Sequence, residues 1–301
     1  MTKFFKLIMN AVGLIYGPRP AVWYVIFVFA IVATRAVFLF LSVTEPGPGV
    51  VGHAASLLLS VVLGVTISLL AAELAHELLA RLAGFIFIIN VEAFRFCLLA
   101  PTGQAFVVMF YLALLLFIRA YKHSRLAEMA FSAVVLGGAG AAAGFAVSLP
   151  LAFLPWLLIY RRVSRGTLAA FVLVFLGTFL MINLVAWFWL VPEVSRPGVG
   201  FPAGLVDAAL SWSGPPPAWS IVGYGLLLAA FLGIFFLCRQ SLFGPLYLLV
   251  AVYFFINGLV AGETSAWITS LVPVVSLLAG YGLLEAAGSL NWRIGRGMKE
   301  A

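Results

Sequence analysis

Apolar stretches of roughly twenty residues recur along this chain, the length a helix rising about 1.5 Å per residue needs to cross a hydrocarbon layer about 30 Å thick. They fall at about 21–43, 51–80, 167–191, 219–238, 242–261 and 266–287. Composition agrees, because 64% of the residues are apolar and only 9% are charged, against about 25% charged in ordinary globular domains. Such a chain needs a solvent without water. The reading is an all-α polytopic membrane protein with about eight transmembrane helices. Residues 1–301 form one integral membrane domain: an N-terminal helix within 1–50, a core in 51–200 and further helices in 201–301.

Several function classes fall away at once. Cys97 and Cys238 both sit inside apolar stretches, so neither a disulfide framework nor a cysteine zinc cluster can be built. The 17 basic and 10 acidic residues stand singly between apolar segments, with no basic run interleaved with aromatics, which excludes a nucleic-acid partner. The first apolar run starts near Ala21 and has no small-residue cleavage site after it, so it is expected to stay in the membrane. Membrane lipid is the implied surrounding.

Lysine and arginine positions give an orientation. With a cytoplasmic N-terminus, Lys3, Lys6, Arg19, Arg81, Arg119, Lys122, Arg125, Arg161, Arg162, Arg165, Arg239, Arg293, Arg296 and Lys299 share the cytoplasmic side, and Arg196 alone is outside. Both termini are then cytoplasmic. The segment from Arg81 to Arg119 must enter and leave on one face, which implies a re-entrant element. Phe85 to Cys97 is rich in β-branched and aromatic residues and precedes the turn signal Pro101-Thr102-Gly103, so a short re-entrant β-strand segment is expected there. Ala127 to Tyr160 is too long for one span and is broken by glycine and proline, predicting two packed helices or a broken one; Gly140 and Gly144 form a small-xxx-small pair. Pro192 to Ala218 reads as an external loop. Trp187, Trp189, Trp212, Trp219, Trp267 and Trp292 near span ends read as interface anchors.

Ionisable groups inside a membrane are costly and are functional candidates by default. The densest group is Glu73, His76 and Glu77, whose spacing on a continuous helix puts them on one face, with Arg81 one turn beyond Glu77. Two readings stand side by side: a shared polar pocket, or a Glu77–Arg81 pair with His76 bonded to a neighbouring helix. Arg35 lies inside the first span; such a group snorkels or forms an interhelical pair.

The run Ala72 to Phe85 resembles the metal-binding helix of the site-2 protease family of intramembrane zinc metalloproteases, with Glu73, His76, Arg81 and Gly84 in register. Pro101 to Val107 resembles that family's strand-and-turn segment, and Ile182 to Pro192 its later Asn-Leu-x-Pro helix. The resemblance covers roughly 52–200 and makes 51–200 a protease-like core. It implies Glu73 as the remnant of the general base and His76 as the surviving metal-ligand position. Two ligand positions depart from the pattern: Ala72 replaces the first histidine, and Pro197 stands where an Asp is expected. A catalytic zinc needs three protein ligands and one open position. The expectation is therefore a pseudoprotease without zinc or other cofactor, binding transmembrane segments of other proteins. Its alternatives are an active protease with a replacement ligand and zinc, or a membrane-anchor subunit of a larger complex, respiratory anchors included.

Other cofactors fit less well. Glu73-x-x-His76 has the spacing of half a di-iron site but lacks a second copy, and Glu193 or Asp207 would lie across the membrane. Only His53, His76 and His123 could ligate haem, and they suggest no buried pair.

Overall fold

In the computed structural model the described residues are 20–42, 50–75, 77–90, 93–94, 96–98, 101–143, 153–160, 164–189, 217–241, 243–261 and 264–297. They are almost entirely helical. The first half of the chain supplies α1 (Pro20–Ser42), α2 (Val50–Leu74), α3 (Glu77–Ile89), a 3-10 turn (Phe96–Leu98), α4 (Pro101–His123) and α5 (Leu126–Ala143). The second half supplies α6 (Leu154–Tyr160), α7 (Arg165–Trp189), α8 (Pro217–Gln240), α9 (Gly244–Ala261) and α10 (Thr264–Gly297). Among the described residues, four stretches are long and apolar enough to cross a membrane: Ala54–Leu74, Gly103–His123, Arg165–Val185 and Ser270–Gly288. Shorter apolar helical stretches cover Val22–Val37, Leu126–Ala142, Gly225–Gln240 and Gly244–Phe254.

Two sequence expectations are corrected. The Phe85–Cys97 segment contains no strand among the described residues: Phe85 to Ile89 complete α3, and Phe96–Leu98 form the 3-10 turn. The cause is burial. Ile86 and Phe87 are buried, and a helix closes its own backbone hydrogen bonds where a lone strand would need a partner edge. Pro101 begins α4 rather than a turn, a first-turn position where its missing N–H costs nothing. α3 packs back along α2, and Glu73 near the end of α2 meets Arg119 and Lys122 near the end of α4.

The 51–80 window is the second correction. It is not one helix: α2 ends at Leu74 and α3 starts at Glu77. The two helices pack together, which requires the chain to turn back on itself here. Glu77 favours a new start, because a carboxylate in a first helical turn interacts well with the exposed N–H groups. The 127–160 stretch does divide into two helices, α5 and α6, with residues 144–152 outside the described part.

α4 is the hub. Gln104 Nε2 donates to Ser56 Oγ on α2 (2.9 Å). Ser132 Oγ on α5 donates to the Ala113 carbonyl (2.7 Å). Tyr111 Oη donates to the Ser270 carbonyl on α10 (2.6 Å), at the turn where Pro273 interrupts the helix ladder. Phe110 meets the Phe254 ring edge-on at 4.8 Å, and Trp156 of α6 meets Tyr121 at 4.5 Å, so aromatic edge-to-face pairs join α4 to α9 and α6.

In lipid, helices gain little from hydrophobic transfer and associate through close packing. Among the described glycines, the tightest surroundings are those between α8 and α10. A Cβ on Gly233 would lie 1.9 Å from the Leu278 carbonyl oxygen, and one on Gly282 2.0 Å from that of Ala229. α5 meets α7 at Gly137, where a Cβ would lie 3.0 Å from the Phe175 carbonyl oxygen. That contact lies one turn before the Gly140–Gly144 pair picked out in the sequence; Gly144 is outside the described residues. α7 is peripheral, with 11% of its span buried against 67% for α4.

Candidate functional site

The charged end of the bundle is built where α2 stops. Glu73 Oε2 lies 3.3 Å from Lys122 Nζ, and Oε1 lies 3.5 Å from Arg119 Nε. Lys122 Nζ also donates to the Glu73 carbonyl oxygen. That carbonyl is one of the last of α2, where the helix leaves acceptors unused and carries partial negative charge, so a cation is favoured there twice over. Glu77, at the start of α3, pairs with Arg81 one turn later. This pair is one half of the second sequence reading; the other half, His76 bonded to a neighbouring helix, falls outside the described residues. His76 lies outside the described residues, as do Glu92, Glu193, Pro197 and Asp207.

Glu73 and Glu77 do not share the face of one continuous helix, because Glu73 ends one helix and Glu77 opens the next. Nor do the other two stations of the resemblance gather here. Gln104, in the second, bonds Ser56, which is seventeen residues or about 25 Å along α2 from Glu73. Asn183, in the third, sits about 28 Å along α7 from Ser164 and donates to the Phe179 carbonyl (2.8 Å). The Glu73 carboxylate faces two cations, and no three His, Cys, Asp or Glu side chains gather among the described residues.

A second polar group lies deep in the bundle. Arg35 of α1 is fully buried; its Nη2 donates to the Phe87 carbonyl (3.1 Å) and its guanidinium stands 3.8 Å from the centre of the Phe94 ring. Among the described residues its Nε and Nη1 have no hydrogen-bond partner. Beyond it, Ser60 Oγ and Cys97 Sγ are 3.2 Å apart, and Gln104 Nε2 donates to the Cys97 carbonyl (3.2 Å). Sequence reasoning had Arg35 but missed Ser56, Ser60 and Gln104. A legible signal existed: Ser56, Ser60, Gly64 and Ser68 recur every four residues and mark one face of α2.

Back at the charged end, a cavity of about 330 Å³ opens between the α4–α5 turn and the start of α7, lined by Lys122, Ser124, Arg125, Ser164 and Thr167 among others. Ser124 makes the turn with φ at 53°. The Arg125 N–H reaches back to the Ala120 carbonyl (3.0 Å), a left-handed helix stop usually given to glycine. Ser164 caps α7 by accepting from the Thr167 N–H (3.1 Å). An apolar groove of about 420 Å³ continues from this cavity between α5 and α7, sharing Leu126, Met129, Ser164 and Thr167 with it.

The fold thus defines a class: a helical bundle whose long apolar helices are compatible with a membrane protein. No protein-family model and no curated protein matches the chain.

Proposed function

We propose that this chain is an integral membrane protein that crosses the bilayer about eight times with both termini in the cytoplasm, cleaves no peptide bonds, and binds transmembrane segments of other proteins. Four long and four shorter apolar helical stretches support the number of crossings, and the one-sided Lys and Arg distribution supports the orientation.

The observation that carries the non-proteolytic reading is the pairing of Glu73 with Lys122 and Arg119. A general base must be free to take a proton from metal-bound water. This carboxylate is instead paired with two cations and ties α2 to α4, so the site-2-protease-like station acts as a clamp between helices. Partner binding is supported by α7, whose Leu173, Leu180 and Met181 are exposed along a helix packed mainly on α5.

The test combines metal analysis of the purified protein with cleavage of single-span peptides in lipid nanodiscs. The expected result is substoichiometric zinc, no cleavage, and photocrosslinking of the same peptides from position 173 or 180. Stoichiometric zinc together with cleavage abolished by Glu73→Gln overturns the proposal.

A further inference from the structure

We propose that the cavity at the α4–α5 turn and the groove between α5 and α7 together form a seat for one anionic phospholipid, its phosphate in the cavity and an acyl chain in the groove. Three observations carry this. First, the two spaces are continuous and differ in chemistry. They share Leu126, Met129, Ser164 and Thr167; to these the cavity adds Lys122, Arg125 and the Ser124 hydroxyl, whereas the groove adds Ala130, Gly166, Ala170 and Phe171. That division matches a molecule with an anionic head and an apolar tail. Each volume, about 330 and 420 Å³, falls within the roughly 300–1,000 Å³ usual for ligand pockets.

Second, the charge is complementary. Arg119, Lys122, Arg125 and Arg165 stand at this end against Glu73 and Glu128, leaving positive charge in excess. Lys122 and Arg125 each have a carboxylate partner on one side, but an ammonium offers three donors and a guanidinium five, so both retain N–H groups for a phosphate. Third, the location is right for a lipid. The cavity sits where α4 ends and α5 and α7 begin, and the groove runs between two helices apolar enough to be immersed. Basic pockets between helices near the membrane surface are where anionic lipid heads bind. A soluble anion would use the cavity but not the groove, which is why the occupant is assigned as a phospholipid.

The experiment uses the full chain in mixed micelles, with native mass spectrometry of bound phosphatidylglycerol against phosphatidylcholine of the same acyl chains. The expected result is one phosphatidylglycerol retained per protein, with phosphatidylcholine held on the order of ten-fold more weakly, and most of that preference lost in K122Q/R125Q. Ala130→Trp, which fills the groove and leaves the cations intact, should lower phosphatidylglycerol retention to a similar degree. Circular dichroism checks that both variants fold, and the groove variant keeps the test decisive if the charge variant does not. Equal retention of the two lipids, or retention unchanged in either folded variant, overturns the proposal. So does displacement of the lipid by inorganic phosphate or glycerol 3-phosphate at equal concentration, which would make the cavity a site for a soluble anion.

Discussion

Replacing Gly233 or Gly282 with alanine tests how the C-terminal helices are held together. The added methyl at 233 would lie 1.9 Å from the Leu278 carbonyl oxygen and the one at 282 would lie 2.0 Å from the Ala229 oxygen. Ordinary contact requires about 3.4 Å or more, so α8 and α10 must part by roughly 1.5 Å. The opposing atoms are backbone and cannot rotate away. A gap of even 0.5–1 Å forfeits about a quarter to a half of the dispersion energy of the atoms it separates, and overpacking costs roughly 1–3 kcal/mol. Against this, alanine is favoured over glycine in a helix by about 1 kcal/mol. The net expectation is a loss of about 1–2 kcal/mol for each single variant, measured by thermal or SDS unfolding in detergent micelles followed by circular dichroism. Because both methyls push the same pair of helices apart, G233A/G282A should cost less than the sum of the singles. Gly225 and Gly288, on the same two helices, have nothing within 4 Å of an added Cβ. Alanine at either should be neutral or stabilising by up to about 1 kcal/mol. If G233A proves no less stable than G225A, the close approach of α8 and α10 is refuted.

Three further outcomes follow from the same packing. Arg35→Met should leave stability unchanged or raise it, since a buried guanidinium whose Nε and Nη1 have no partner among the described residues costs more than an apolar side chain of similar length; a loss of more than about 2 kcal/mol in chemical unfolding would instead reveal a carboxylate left unpaired by the change. Tyr111→Phe removes the bond to the Ser270 carbonyl and should cost about 1 kcal/mol in the same assay, with wild-type stability counting against that contact. In maleimide labelling of the folded protein, exposed Cys238 should react and buried Cys97 only after denaturation; early modification of Cys97 would contradict the packing around Ser60.

Much of the helical architecture is legible in the hydropathy of the chain, because about twenty apolar residues in lipid have few solutions besides a helix. What escaped were places where two forms share one composition. The 51–80 window reads as one span because Leu74, Ala75 and Leu78 are good helix formers, and only the tertiary pairing of α2 with α3 reveals the turn. Phe85 to Ile89 carry strand-like residues, yet β propensity largely measures fit to a pleated surface, and here the surroundings are other helices. In the candidate site, the Glu77–Arg81 pair follows from spacing alone. The partners of Glu73 do not, since Arg119 and Lys122 lie more than forty residues away and reach it only through the return of α4. The peripheral place of α7 is similarly invisible: its apolar run looks like any other until its neighbours are known.

The break between α2, ending at Leu74, and α3, starting at Glu77, has a consequence for any attempt to build a metal site at this end of the bundle. Ligands spaced four residues apart but divided between α2 and α3 would not converge on one ion, because only an unbroken rod keeps such a pair on one side. Such a design would have to draw its donors from a single helix, or from α2 and α4, whose ends Glu73 and Lys122 already bring side by side.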